Sequence, residues 1–324
     1  MITFDRVSKT FPGSLEVVRE LSLEVAEGEI MVLLGTSGSG KTTMLKMVNR
    51  LIEATSGRIL IAGRDIKDQS PIDLRRGIGY AIQHIGLFPH MTVAENIAVV
   101  PNLLKWQQDK ADGRIEKLLQ MTGLDPTTYR DRFPAQLSGG QRQRVGVARA
   151  LAADPPVVLM DEPFGALDPI TREQLQKEFL DLHLEMKKTV IFVTHDVFEA
   201  VRMADRIALI DKGVIQQLAT PSEMVERPAN EFVDQFLGQH RFQLSLLTKT
   251  VRSIIGDSYR RPLGNDEYRP PHWINAGDSL IDALDKFKTS RKNILPVYKG
   301  TFSFGNFEKS RLLKIMAEVL GDAD

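Results

Sequence analysis

A continuous apolar run, Ile30-Met31-Val32-Leu33-Leu34, feeds directly into Gly35-Thr36-Ser37-Gly38-Ser39-Gly40-Lys41-Thr42-Thr43. An apolar run without alternation reads as a strand buried on both faces, which demands a parallel sheet covered by helices. The glycines let backbone N–H groups turn inward, and Lys41-Thr42-Thr43 opens a helix whose positive end points into the same space. The spacing from Gly35 to Gly40, Lys41 and Thr42 satisfies the P-loop pattern at every fixed position, so the segment reads as a cradle for nucleoside triphosphate. Lys41 is expected to reach the β- and γ-phosphates as a point charge, and the Thr42 hydroxyl to sit on Mg²⁺.

Two further segments handle phosphate chemistry. Pro155-Pro156-Val157-Val158-Leu159-Met160-Asp161-Glu162 is a short apolar run ending in two carboxylates. Such a strand delivers acids to its carboxyl end, where α/β sheets bind ligands. Asp161 is placed to hold the Mg²⁺ shell and Glu162 to polarise an attacking water as general base. About twenty residues earlier, Leu137-Ser138-Gly139-Gly140-Gln141 opens a helical run over 142–151, with Arg142, Arg144 and Arg149 polar around Val145, Val147 and Ala148. Ser138 and the amides of Gly139 and Gly140 form a second helix N-terminus able to grip an anion.

Together the P-loop, the Asp161-Glu162 pair and this pentapeptide resemble the signature set of the ATP-binding-cassette (ABC) ATPases. The resemblance implies that the anion gripped by 138–141 is the γ-phosphate of ATP bound on a partner subunit. Gln83, ending the apolar run 78–82, matches the glutamine that contacts Mg²⁺ and the attacking water. His195, after the run 190–194, matches the switch histidine on the γ-phosphate. Gly165-Ala166-Leu167-Asp168 matches the loop joining the two active sites, with Gly165 where many members carry serine. Phe11 matches the aromatic residue that stacks on adenine. ATP and Mg²⁺ are the implied cofactors, with nucleotide contacts from Phe11, residues 35–43, Gln83, residues 138–141, Asp161, Asp168 and His195. Thr42, Gln83 and Asp161 are the implied Mg²⁺ ligands, and Glu162, His195, Gln83 and Lys41 the implied catalytic set.

Composition bounds the remainder. The 324 residues suggest two domains, and 42 basic against 42 acidic side chains advertise no nucleic-acid footprint. Zero cysteines exclude a disulfide framework or thiolate metal site and suit a reducing cytosol. The N-terminus lacks the basic and apolar regions of a signal peptide, and no apolar segment approaches the roughly 18 residues of a membrane span. Any membrane role is therefore expected to be peripheral, at the cytoplasmic face.

The coarse pattern predicts antiparallel strands around Ile2/Phe4 and Leu21/Leu23/Val25, and a P-loop helix to about Leu51. A helical region over about 92–151, with Gly123 as one stop, comes next. Strand 157–161, helix 171–187, strand 189–194, helix 197–203 and a hairpin broken at 211–213 complete the order. This is the α/β, RecA-like P-loop NTPase core with a helical subdomain and an antiparallel β subdomain that the ABC resemblance implies, over residues 1–238.

The stretch 83–96, continuing through Val99-Val100-Pro101 to Leu104-Lys105-Trp106, looks like the ATPases of osmoprotectant importers carrying glycine betaine, choline and related solutes. In that family it forms the groove for the membrane subunit. The implied partners are a second, identical or paired, ATPase chain, transmembrane permease subunits and, indirectly, a solute-binding protein, with no nucleic acid. Importers of other small solutes, soluble ABC ATPases and a catalytically dead scaffold are the alternatives. The last lacks support from the intact Lys41, Gln83, Asp161, Glu162 and His195, and neither tandem cassettes nor long coiled-coil insertions suggest a soluble ATPase.

Beyond a linker expected at 239–264, the tail turns basic, with fourteen Lys and Arg against ten Asp and Glu over 241–324. A capped amphipathic helix from Asp278-Ser279, a strand over 293–298, alternating Phe302/Phe304 and a helix over 310–319 resemble one cystathionine-β-synthase (CBS) repeat in a small α+β domain over 265–324. Glu308 and Arg311 stand where nucleotide-binding repeats carry Thr/Ser and Asp, so the tail is expected to pair with its copy in a second chain and not to hold nucleotide. Ionic-strength sensing through its basic charge is the alternative to plain dimerisation.

Overall fold

Parallel strands buried on both faces organise the larger part of the computed structural model, which describes residues 1–13, 16–82, 86–165, 167–256, 260–263 and 269–321. The chain divides into two units, Met1–Leu218 and Ala219–Asp324.

In the first unit, β1 (Ile2–Thr10) pairs antiparallel with β2 (Glu16–Val25), burying Ile2, Phe4, Leu21, Leu23 and Val25 as their alternation requires. β3 (Ile30–Gly35) runs through the P-loop into α1 (Lys41–Val48). That helix stops short of the expected Leu51 because Asn49 takes the C-cap position and Arg50 turns to φ +47°. β4 (Ser56–Ile61) and β5 (Arg64–Asp65) complete a sheet in the order β2-β1-β4-β5. Next come α2 (Pro71–Arg76) and β6 (Ile78–Ala81). Four helices follow: α3 (Val93–Leu103), α4 (Gln108–Met121), α5 (Pro126–Tyr129) and α6 (Gly139–Leu151). Strand and helix then alternate as β7 (Val157–Asp161), α7 (Pro169–Met186), β8 (Thr189–Thr194), α8 (Val197–Met203), β9 (Arg206–Asp211) and β10 (Val214–Ala219).

The second sheet runs β10-β9-β3-β8-β7-β6, parallel from β9 to β6. Every residue of β3, β7 and β8 is buried. Register sets Leu34 beside Thr194 and Asp161 beside Val193, so the carboxyl ends of three strands converge. One cluster of buried side chains runs from Phe4 and Leu23 through Met44 and Leu45 of α1 to Leu33, Leu159 and Val193. The P-loop helix is thereby pinned between both sheets.

The second unit begins with α9 (Pro221–Glu226), α10 (Glu231–Leu237), α11 (Arg241–Thr248) and α12 (Val251–Ile255). β11 (Arg261–Pro262), β12 (Ile274–Asn275), α13 (Leu280–Ser290), β13 (Ile294–Lys299), β14 (Phe302–Glu308) and α14 (Lys309–Gly321) follow. Its sheet order is β11-β14-β13-β12, with β12 and β13 parallel. The division falls ahead of the boundary expected at 238, and the expected linker 239–264 carries two helices. Leu246, Val251 and Ile255 of that stretch join Phe287, Val297 and Phe307 in the unit's own core, so a solvated linker would strand apolar surface in water. The Ser279 hydroxyl accepts from the Asp282 N–H and the Asp282 carboxylate accepts from the Ser279 N–H, a reciprocal cap that starts α13 as the sequence predicts.

Candidate active site

The P-loop backbone requires glycine at two points. Gly35 has φ +152°, and a Cβ there would lie 2.1 Å from the Ile210 carbonyl oxygen; Gly40 has φ +104°, and its Cβ would lie 2.8 Å from the Val17 carbonyl. The turn they permit folds the Lys41 side chain back over the loop. Its Nζ donates to the Gly35 carbonyl (2.9 Å), the Thr36 carbonyl (2.7 Å) and the Ser39 hydroxyl (3.2 Å). Lys41 is only 6% exposed, and burial holds its pKa below the ordinary lysine value against the opposing pull of Glu162 and Asp161. Among the described residues no carboxylate reaches ion-pair distance of it. A buried cation held by neutral acceptors is the complement of a polyphosphate, so the cradle fits ATP.

At the end of β7, Asp161 is 3% exposed and accepts a 2.9 Å hydrogen bond from the Thr42 hydroxyl. Burial raises its pKa, with the Thr42 bond acting the other way. A hydroxyl and a carboxylate so juxtaposed are hard oxygen donors, the set that suits Mg²⁺ held largely by phosphate and water. The fit rests on these two; among the described residues no cluster of three or more His, Asp or Glu side chains forms a closed metal cage. The next residue, Glu162, takes φ +46°, in the left-handed region that non-glycine residues seldom occupy. Its N–H donates to the Val193 carbonyl at 3.0 Å, and its Oε1 lies 3.0 Å from His195 Nδ1 at the end of β8. The strained backbone, worth about 1–3 kcal/mol, turns the carboxylate out of the sheet toward the histidine.

Asp168, residues 138–141 and Phe11 make their described contacts elsewhere. Asp168 caps α7 by accepting from the Thr171 N–H at 3.0 Å, and hydrogen bonding from the Thr171 side chain, then from its N–H, holds the carboxyl below the usual range. Ser138 and Gln141 exchange side-chain to backbone bonds in a capping box that starts α6, and Gln141 Nε2 donates to the Tyr129 hydroxyl at 3.0 Å. The amides of Gly139 and Gly140 are left as the orphan donors of that helix end. Among the described residues, 138–141 share no hydrogen bond or ion pair with Lys41, Thr42, Asp161, Glu162 or His195. Phe11 lies just past β1, half-buried, with the Lys9 ammonium 4.9 Å from its ring centroid. Gln83 falls outside the described residues.

A cavity of about 310 Å³ is lined by Tyr80, Phe88, Val99, Val100 and Arg149; Phe88, Val99 and Val100 belong to the stretch for which the resemblance implied a groove. One feature escaped the sequence reading. A polar network joins α7 to α8: Arg172 to Asp196 at 3.4 Å, and Gln176 to the buried Glu199 at 3.0 Å. Neither pair has local sequence spacing. Among the described residues no helix is long and apolar enough to cross a membrane.

The family profile described as ABC transporter matches residues 18–165. The glycine betaine/carnitine/choline transport ATP-binding protein OpuCA of Bacillus subtilis (strain 168) is 54% identical over 241 residues, 74% of this chain. The chain spans 63% of that protein's length. The glycine betaine uptake system ATP-binding protein YehX of Escherichia coli (strain K12) is 49% identical over 297 residues, 92% of this chain and 94% of YehX. Among solved structures, the dimeric post-hydrolysis state of the ATP-binding cassette MJ0796 bound to ADP and Pi superposes with a TM-score of 0.62 at 33% identity, over 68% of this chain and 98% of that one.

Proposed function

This chain belongs to the ATP-binding subunits of ABC transporters, and from that membership we propose that it is the ATP-hydrolysing subunit of an importer for quaternary ammonium osmoprotectants. The observation that carries the catalytic reading is the convergence of β3, β7 and β8, which sets Thr42 2.9 Å from Asp161 and Glu162 3.0 Å from His195. Two copies hold two ATP molecules, each between the P-loop of one chain and residues 138–141 of the other. Glu162 takes the proton of the attacking water, and His195 and Lys41 balance charge on the transferring γ-phosphoryl group. Mg²⁺, when bound, neutralises phosphate charge, with Thr42, Asp161 and Gln83 as its protein ligands. The dimer of the solved cassette supports pairing of two copies.

Closure of the pair drives permease subunits that dock at the cavity bounded by Phe88, Val99 and Arg149, which keeps this chain at the inner membrane surface. Glycine betaine or choline as cargo is supported by the named transport roles of OpuCA and YehX. The tail serves as a CBS-like dimerisation module. Its Glu308 accepts from the Ser310 hydroxyl at 3.0 Å and Arg311 donates to the Ile254 carbonyl at 2.7 Å, commitments that support a tail without a ribose site. Steady-state ATPase measurements test the catalytic core: Glu162→Gln is predicted to abolish turnover and trap the ATP-bound dimer, and rapid hydrolysis by that variant would overturn the base assignment.

A further inference from the structure

His195 is more than half exposed, and the residue after it, Asp196, anchors the loop that carries it. Asp196 divides its two carboxylate oxygens. Oδ1 accepts from the Phe198 and Glu199 N–H groups and so caps α8, while Oδ2 faces Arg172 Nη1 at 3.4 Å. The same guanidinium donates through Nη2 to the Leu167 carbonyl at 3.1 Å, one residue before Asp168. Arg172 therefore fastens the loop that opens α7 to the loop that carries His195.

Leu167 also lies close to the N-terminus of α6. A Cβ at Gly140 would lie 3.2 Å from Leu167 Cδ2 and 3.7 Å from Thr171 Cγ2, so the turn at 138–141 rests on the same first turn of α7. A shift of α6 against α7 would press on the side chain of Leu167, whose own backbone carbonyl holds Arg172. The Arg172 to Asp196 contact is a weak stabilising pair. An ion pair about one-third exposed on both sides contributes little. The Arg172 Nε is moreover buried without an acceptor among the described residues, which detracts.

We propose that Arg172 is a positioning residue that couples the 138–141 turn to His195 of the same chain, so that engagement of this turn with nucleotide on a partner copy holds His195 in its 3.0 Å contact with Glu162 at the chain's own site during turnover. The proposal rests on the two-site reading above. It gives a physical route, Gly140 to Leu167 to Arg172 to Asp196 to His195, by which one site senses occupation of the other.

The test uses the full chain assembled with its permease, measuring ATPase rate against ATP concentration for wild type, Arg172→Met, Arg172→Lys, Asp196→Asn and the Arg172→Met/Asp196→Asn double variant. Asparagine keeps the helix cap while removing the charge. Arg172→Met is expected to lower kcat about tenfold, equivalent to roughly 1.4 kcal/mol, and to bring the Hill coefficient toward one. KM and ADP affinity are expected to stay within about twofold, because the nucleotide contacts are untouched. Arg172→Lys should recover part of the rate, and the double variant should be no slower than the slower single one. Unchanged kcat in Arg172→Met, losses in the two single variants that multiply, or a fall in ADP affinity matching the fall in kcat would each overturn the coupling. If Arg172→Met does not fold, Arg172→Lys and Asp196→Asn decide the matter, each expected to lower kcat and the Hill coefficient with ADP affinity retained. A wild-type chain that hydrolyses no ATP overturns the catalytic reading and this inference together, whereas an active wild type with an equally active, equally cooperative Arg172→Met overturns the inference alone.

Discussion

Lys41→Met is predicted to leave the chain folded while erasing its response to ATP. The lysine is 6% exposed and spends its three donors on the Gly35 and Thr36 carbonyls and the Ser39 hydroxyl. Burial disfavours its charge, as the lowered pKa records. Methionine removes the desolvation cost and the three bonds together. The three bonds lost contribute about 1 kcal/mol each and leave buried acceptors behind, which the relief of the ion's desolvation partly offsets, so the change in stability without nucleotide is expected to stay within about 3 kcal/mol. Nucleotide binding behaves differently. Charge-assisted bonds to phosphate contribute about 1.5–3 kcal/mol each, and losing two of them weakens binding roughly 100-fold even at the low end. At an ATP concentration about 100 times the wild-type Kd, the nucleotide stabilises wild type by about 2.7 kcal/mol, while the variant sits near its own Kd and gains only about 0.4 kcal/mol. Thermal unfolding with and without Mg-ATP, alongside an equilibrium nucleotide titration, reads both quantities. A Lys41→Met chain that keeps the wild-type nucleotide shift refutes the reasoning, because the phosphates would then lie elsewhere.

Gly35→Ala tests the loop's steric basis: a Cβ 2.1 Å from the Ile210 carbonyl must force β3 from β9, at an expected cost of about 3 kcal/mol or more in denaturant unfolding. A cost below about 1 kcal/mol would contradict it. Glu199 is buried beside Gln176, and burial raises its pKa. An acid whose folded pKa lies above its unfolded value loses stability as pH rises between the two. Glu199→Gln is therefore expected to be the more stable chain at about pH 7.5, with the advantage gone by about pH 4, where both states bind the proton. Urea unfolding at both pH values checks this, and an equal difference at the two would count against the assignment.

The strands that carry the site were legible because burial on both faces leaves a plain signal. The runs at 30–34, 157–161 and 189–194 became β3, β7 and β8 almost residue for residue. Helix ends with local chemistry were legible too: α8 spans the predicted 197–203, and α4 stops two residues before Gly123. Short pieces were not. β5 has two residues and α2 has six, too few to show a period. The stretch 239–264 looked like a linker because its apolar positions are split between two short helices, and only packing against Phe287 and Phe307 reveals their use. At the site, the motifs pointed to Lys41, Thr42, Asp161, Glu162 and His195, but the left-handed backbone of Glu162 and the Arg172 to Asp196 contact arise from strand register and helix packing. No spacing rule encodes either.

ATP-driven uptake of labelled glycine betaine and choline into liposomes bearing the complete transporter, with Glu162→Gln as the zero, tests the central claim most directly. The account predicts uptake that requires ATP hydrolysis and is absent with the variant. Robust hydrolysis with neither solute moving would contradict the osmoprotectant assignment while leaving the ATPase core intact.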